Sequence, residues 1–313
     1  GMQQIKFSNH DITSPVTTIA LSGTKDSTGW YSTPVTITLT AADGGEGIGI
    51  EKIEYSLDNV TWNLYSAPFV INKDGISTIK YRSVDKAGNI ETAKSQDVKI
   101  NLTGIVGYWK LNNDGKDSSL MGNDLTSVNG ATFDIDAKIG SHSAKFNGSN
   151  TYLRGASGNN LPLGNSPRTF MAWIKPFSYP DAGYNGIFAY GQGCTGKGSL
   201  LSMRNDGRIS MAFWCNDAHQ TTSSQAVLNQ WNHVVFTYDG GTTIKFYMNG
   251  QLTQQTSVPY VPDTVDGPVR IGSTDDPGRV FNGLIDEVVI YNRALSATEI
   301  KAHYDMAQVQ PPT

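Results

Sequence analysis

The chain has 313 residues, of which 17 % are charged and 10 % aromatic, with 33 glycines and a net charge of −4. No Lys/Arg cluster stands out and no apolar run approaches the roughly 20 residues that cross a bilayer as a helix, so a nucleic-acid partner and membrane insertion are both set aside. Length favours two domains, and short runs of Thr, Val, Ile and Tyr between glycine turns mark an all-β chain.

Residues 1–13, opening GMQQIKFSNHD, read as a tail. They lack the apolar core of an export signal, and Gly1 before Met2 reads as the scar of a cleaved tag. From residue 14 to 103 the pattern is that of a sandwich. In PVTITLTA (34–41), Val35, Ile37 and Leu39 alternate with threonines, as in a strand with one buried face. The same period places Ile53, Tyr55 and Leu57 of KIEYSLD (52–58) on one face, and ISTIKYRSV (76–84) comes next. ADGGEG, SLDN and DKAGN supply the turns, Asp85 accepting local backbone N–H groups and Gly88 taking a positive φ.

The stretches SGTKDSTGWYSTPVTITLTA, IEYSLDNVTWNLYSAPFVI and GISTIKYRSVDKAGNIE resemble the bacterial immunoglobulin-like modules found beside extracellular glycosidases and on surface proteins. The resemblance implies an immunoglobulin-like sandwich that serves as a spacer or interaction domain. NLTG (101–104) is a short link between this sandwich and a second, larger domain.

Residues 104–306 carry more than ten candidate strands, among them IVGYWKL, TFMAWIKP, NHVVFTYDG, TIKFYMNG and LIDEVVIYN, with hairpin signals YDGGTT and MNGQ. Two large packed sheets, a jelly roll, are the economical architecture. SATE (296–299) is a capping box that starts a short C-terminal helix with Ile300 and Tyr304 on its docking face, and 307–313 read as a tail.

GYWKLN, KDSSLMGNDLT, SAKFNGSNTYL, FMAWIKP, WNHVVFTYDGGTTIKFYMNGQL, VRIGS and FNGLIDEVVIYNRALSATEI are similar, in order, to the concanavalin A-like, laminin-G-like jelly-roll family. Asn147 departs from the pattern, standing where that family often has an acidic residue. The resemblance implies a lectin-like fold that also includes true glucanases, so catalysis has to be tested.

A retaining glycosidase needs two carboxyl groups facing one cleft, about 5 Å apart. Strand neighbours point to opposite faces, so Asp286 and Glu287 are expected to be unable to form that pair. No Glu-x-Asp-x-x-Glu set, HExxH or GxSxG motif is present, and the reading is of a protein that is not an enzyme. His233, inside NHVVFTYDG, reads as a satisfied sheet histidine, and His219 as a loop residue.

Asp286 is set in a strand apolar on both faces, so it is expected to be shielded from water and to require a partner. Backbone amides of a neighbouring turn, Arg293 or Arg279, or a hard cation could serve. For the cation, the loop KDSSLMGND offers Asp117, Ser118, Asn123 and Asp124; Asp286, Asp117 and Asn123 are the candidate ligands of a structural calcium.

For sugar recognition the requirement is an exposed aromatic plate flanked by groups that bond hydroxyls. Trp109, Trp173 and Trp231 fall in motifs shared by the fold and read as core or sheet residues. Trp214, with Asn216 and Asp217, sits at a strand end, and Tyr179 and Tyr184 could line the same rim. The RNDG turn (204–207), with strand partners summing to 411, brings Cys194 and Cys215 near enough for a disulfide, which implies an oxidising compartment. The expectation is a non-catalytic carbohydrate-binding part of a secreted or cell-surface protein. A module that grips a cell-surface protein is the alternative, and a glucanase-type hydrolase the second alternative.

Overall fold

The structure is a computed structural model that describes residues 11–25, 29–44, 49–119, 121–158, 160–181, 183–193, 197–213, 220–258, 260–274 and 278–309. Two compact units divide the chain, residues 1–103 and 104–313.

In the first unit the strands are β1 (Val16–Ser22), β2 (Val35–Ala42), β3 (Ile50–Ser56), β4 (Asn63–Leu64), β5 (Phe69–Ile71), β6 (Gly75–Asp85) and β7 (Lys94–Ile100). They form two antiparallel sheets, β1-β2-β5 and β4-β3-β6-β7. Period-2 alternation turns Val35, Ile37 and Leu39 of β2 onto Ile79 and Tyr81 of β6 and Val98 and Ile100 of β7, closing a two-sheet core. Full burial of one such side chain contributes roughly 1.5–3 kcal/mol. Ile53 and Tyr55 pack partly against this core. Leu57 departs from the expectation: β3 ends at Ser56, and Leu57 is 51 % exposed.

The second unit contains β8 (Ile105–Trp109), β9 (Thr126–Val128), β10 (Thr132–Asp134), β11 (Ser143–Asn147), β12 (Tyr152–Gly155), β13 (Arg168–Pro176), β14 (Tyr184–Gly191), β15 (Gly198–Arg204), β16 (Arg208–Ala212), β17 (Gln220–Gln225), β18 (Asn232–Tyr238), β19 (Thr243–Met248), β20 (Gln251–Ser257), β21 (Val269–Ile271), β22 (Asn282–Tyr291) and the helix α1 (Ala297–Val309). The larger sheet runs β10-β11-β22-β13-β18-β19-β20, with β8 also paired to β22; the smaller runs β17-β16-β15-β14-β21-β12-β9. Aromatic rings join them: Phe170 of β13 meets Phe236 of β18 at 4.6 Å and reaches across to Phe188 of β14 at 5.0 Å. This is a jelly-roll core with both sheets contributing to one layer.

The other face of the larger sheet is covered as well. Met171, Val235, Tyr247, Val289 and Tyr291 gather there under Leu295 and Ile300. The capping box holds the helix start: Ser296 N–H donates to Glu299 Oε2 at 2.8 Å, and Glu299 N–H donates to Ser296 Oγ at 3.3 Å. The helix continues to Val309, past residue 306, where the sequence reading ended the domain.

At the RNDG turn, Met203 faces Ile209 and Leu200 faces Ala212, so partners sum to 412 rather than 411. Gly207 takes φ +78°, which lets a three-residue loop close the hairpin. Cys194 and Cys215 lie outside the described residues.

Candidate functional site

The site is built on a defect in β22. Along one edge, β11 pairs with Asn282–Ile285 and β8 with residues 288–291, leaving 286 and 287 between the two partners. Along the other edge, Met171 of β13 faces Val289 and Trp173 faces Asp286, so Ala172 is opposed by two residues. Glu287 takes φ +50°, the backbone signature of a bulge.

The bulge corrects the expectation that neighbouring carboxylates must point to opposite faces. Asp286 shares a face with its partner Trp173, and Glu287 lines the same cleft as Trp173, Met171 and Val289. One extra residue has reset the alternation, so both acids stand on the helix-covered side of the sheet.

Asp286 is 0 % exposed. Of the three partners considered for it, the structure supplies backbone amides: Oδ2 accepts from Lys138 N–H at 2.8 Å and from Ile139 N–H at 3.0 Å. Oδ1 has no hydrogen-bond partner among the described residues. Burial pushes the carboxyl up to about 8, against the lowering effect of the two amides, and the nearby charge of Glu287 adds to the rise. Burial thus favours the protonated form of Asp286.

Glu287 is 8 % exposed and its Oε2 accepts from the Tyr108 hydroxyl. Burial pushes it up to about 7, opposed by that hydrogen bond and by the charge of Lys110. Burial and the Glu287 charge hold the Tyr108 phenol well above its ordinary range, so it acts as the donor.

Around Glu287 opens a cleft of about 480 Å³ between the sheet and the end of α1. Tyr108, Trp173, Met171 and Val289 line it, together with Lys110, Asn112, His303 and Met306. Trp173 is clamped between layers: Tyr304 stacks on it at 5.7 Å, and Lys138 Nζ lies 4.7 Å from its ring centre. His233, 1 % exposed, also lines the cleft. It is buried as expected but not satisfied, because Nδ1 has no partner among the described residues. Burial, then the charges of His303 and Lys138, lower it to about 3, so the imidazole is neutral. The cleft thus presents aromatic and apolar walls with a few convergent polar groups, the general form of a small-molecule site.

Residues 147–301 match the family model Laminin_G_3, described as the concanavalin A-like lectin/glucanases superfamily. The matched segment supplies Trp173, His233 and Glu287 to the cleft, whereas Tyr108, Lys110 and Asn112 come from before it and His303 and Met306 from after it.

In sequence the chain is similar to human adhesion G-protein coupled receptor D1, 36 % identical over 81 residues, 25 % of this chain and 9 % of the receptor. The chain therefore spans under a tenth of that relative's length. In fold it is similar to domain 4 of AbnA, a GH43 extracellular arabinanase from Geobacillus stearothermophilus solved with arabinotriose: TM-score 0.51, 22 % identity, covering 63 % of this chain and 97 % of that one. The botulinum neurotoxin serotype G binding domain is also similar, with TM-score 0.54, 16 % identity, and coverage of 66 % of this chain and 51 % of that one.

The other residues singled out in the sequence are dispersed. Asp117 and Asn123 come together through the backbone: Asn123 N–H donates to Asp117 Oδ2 at 2.9 Å, Tyr108 and Ser119 N–H groups occupy Oδ1, and the Asn123 side-chain amide donates to the Val106 carbonyl at 3.1 Å. Asp286, anchored to the 138–139 backbone, belongs to no cluster of three acidic or histidine side chains close enough to share an ion among the described residues. Of the three expected calcium ligands, Asp286 thus has its oxygen Oδ2 on the 138–139 amides and Asp117 has both oxygens on the amides of its own loop and of Tyr108.

Tyr179 is half-buried, donates to the Ala226 carbonyl at 2.8 Å and lies against Gly207, which fixes it to the hairpin turn. Tyr184 is half-buried under the Arg279 guanidinium, 4.8 Å from its ring centre. Trp214, Asn216, Asp217 and His219 lie outside the described residues. Trp109 and Trp173 are core residues, whereas Trp231 is half-exposed and donates from Nε1 to Asp136 Oδ1 at 3.2 Å.

The sequence reading missed Tyr108, Lys110 and Glu287 as one group. The only signal for it in the sequence was the pair Asp-Glu inside an apolar run, and strict alternation set Glu287 on the wrong face.

Proposed function

We propose that the second unit is a glycan-binding module that does not cut its ligand, carried behind an immunoglobulin-like spacer in a secreted or cell-surface protein. The observation that carries this reading is the cleft at Glu287. It offers Tyr108 as a half-buried aromatic wall, with Lys110, Asn112 and Glu287 converging on the same space. The arabinotriose complex of the arabinanase domain supports a saccharide as the ligand class for this fold, and the neurotoxin domain supports binding rather than turnover.

The non-catalytic part of the proposal rests on access rather than on alternation. Glu287 lines the cleft, but Asp286 is wholly buried, bonded to the 138–139 backbone and absent from the lining. Two acids on one face cannot act as a glycosidase pair when only one can reach a substrate. A bridge between Cys194 and Cys215 belongs to the same extracellular reading.

Retention of the unmodified chain on a glycan array and in affinity electrophoresis, with loss of retention in Tyr108→Ala, is the expected result. Loss in Trp214→Ala with Tyr108→Ala unaffected moves the site to the 214–217 loop. No retention on any glycan, with capture by a cell-surface protein instead, replaces this reading by protein adhesion.

A further inference from the structure

We propose that Asp11, Asp43 and Asp85 of the first unit form a calcium site. The topology brings them to one end of the sandwich from three separate segments. Val16 at the start of β1 pairs with Ala42 at the end of β2, which puts the segment holding Asp11 beside Asp43. Ile50 at the start of β3 pairs with Asp85 at the end of β6. A carboxylate oxygen from each of the three lies within 4.8 Å of those of the other two.

Backbone donors aim each carboxylate. Asp11 Oδ1 accepts from Thr13 N–H at 2.9 Å, and Asp43 Oδ2 accepts from Gly49 N–H at 2.9 Å. Asp85, 0 % exposed, accepts from the Asn89 backbone at Oδ1 and from its side-chain amide at Oδ2, at 2.9 and 2.8 Å. The same Asn89 amide reaches the Asp11 carbonyl at 3.0 Å, tying the turn to the N-terminal segment. The DKAGN turn thus does more than reverse the chain, because its Asp85 and Asn89 fix one corner of the cluster.

A second observation points to a ligand. Asp11 and Asp43 are half-buried with one oxygen of each anchored, and the other oxygen, Oδ2 of Asp11 and Oδ1 of Asp43, is closed off from solvent and receives no hydrogen bond among the described residues. Among the described residues no Lys or Arg forms an ion pair with any of the three. Buried anionic oxygens are almost always paired, and three like charges at this spacing repel one another. A cation between them answers both conditions at once.

The donor set selects the ion. All-oxygen ligands, three of them carboxylates, suit calcium, whose oxygens sit at about 2.3–2.6 Å and so at most about 5 Å apart across the ion. Magnesium keeps several waters and is held by one or two carboxylates, so an all-protein acidic cage disfavours it.

The test titrates the full chain, stripped with chelator, with calcium chloride alone by calorimetry and follows thermal unfolding with and without the ion. The expected result is one bound calcium whose affinity falls at least tenfold in Asp11→Ala and in Asp43→Asn, with a Tm rise of about 5 °C or more for the unmodified chain that neither variant retains. Magnesium at equal concentration gives the weaker response, and Asp286→Asn leaves calcium binding unchanged. Absence of both heat and Tm shift in the unmodified chain, or unmodified-like binding in Asp11→Ala and Asp43→Asn, overturns the proposal. Asp85→Asn is avoided as the deciding variant because its turn contacts are needed for folding.

Discussion

The Tyr108 hydroxyl donates to Oε2 of Glu287, joining residues 179 positions apart across the seam between β8 and the bulge of β22. The bond favours the charged carboxylate, because it lowers a group that burial raises to about 7. Tyr108→Phe removes the donor and drives Glu287 further up. The expected cost is about 1–3 kcal/mol above neutral pH, where the carboxyl is otherwise ionised, and less near pH 5, where it is protonated. Urea denaturation at the two pH values checks the difference.

Asp286 and Glu287 make the second unit less stable as pH rises. Their folded values, about 8 and about 7, lie above the unfolded values of 3.8 and 4.5. The folded state therefore binds more protons in between, and the contribution is complete below about pH 4 and lost as pH climbs through 7 and 8. Asp286→Asn keeps an oxygen for the two amides without the ionisable group. It is expected to flatten the profile between pH 5 and 8.5 and to raise Tm at the upper end, measured by calorimetric melts across that range.

His233 acts with the opposite sign. Its folded value of about 3 lies below the unfolded 6.5, so the unfolded state takes up the proton first. That contribution is present above pH 6.5 and is lost as pH falls toward 3. Nitrogen chemical shifts of the imidazole are expected to report a neutral ring down to pH 4.

Arg168 is wholly buried, and among the described residues no carboxylate pairs with it. Its guanidinium donates to Tyr190 Oη at 2.9 Å, Ser199 Oγ at 2.8 Å, Thr264 Oγ1 at 2.9 Å and the Gly164 carbonyl at 2.7 Å. A lysine cannot reproduce that planar fork and leaves buried oxygens unmatched. Arg168→Lys is expected to cost about 3 kcal/mol or more in urea denaturation of the full chain.

Strand periodicity made the core faces of both units legible, because Val35, Ile37 and Leu39 alternate cleanly and Ser296 with Glu299 announces a helix start by chemistry alone. Leu57 failed because the strand ended one residue before it. The site was harder to read for a related reason. A bulge changes the count on one strand only, and a glutamate with positive φ leaves no mark that distinguishes it from its neighbours. Tyr108 and Glu287 meet only after β8 has paired with β22, a contact between distant segments that no local pattern encodes. The aspartates at 11, 43 and 85 share that difficulty, each looking like an ordinary turn residue until the sheets align them.

Titration of the full chain with arabino-oligosaccharides and with the best-retained array glycan, coupled to product analysis of the same samples, tests the proposed function most directly. The expected result is saturable binding that Tyr108→Ala abolishes, with every oligosaccharide recovered at its original length. Shortened products that vanish in Glu287→Gln would contradict it.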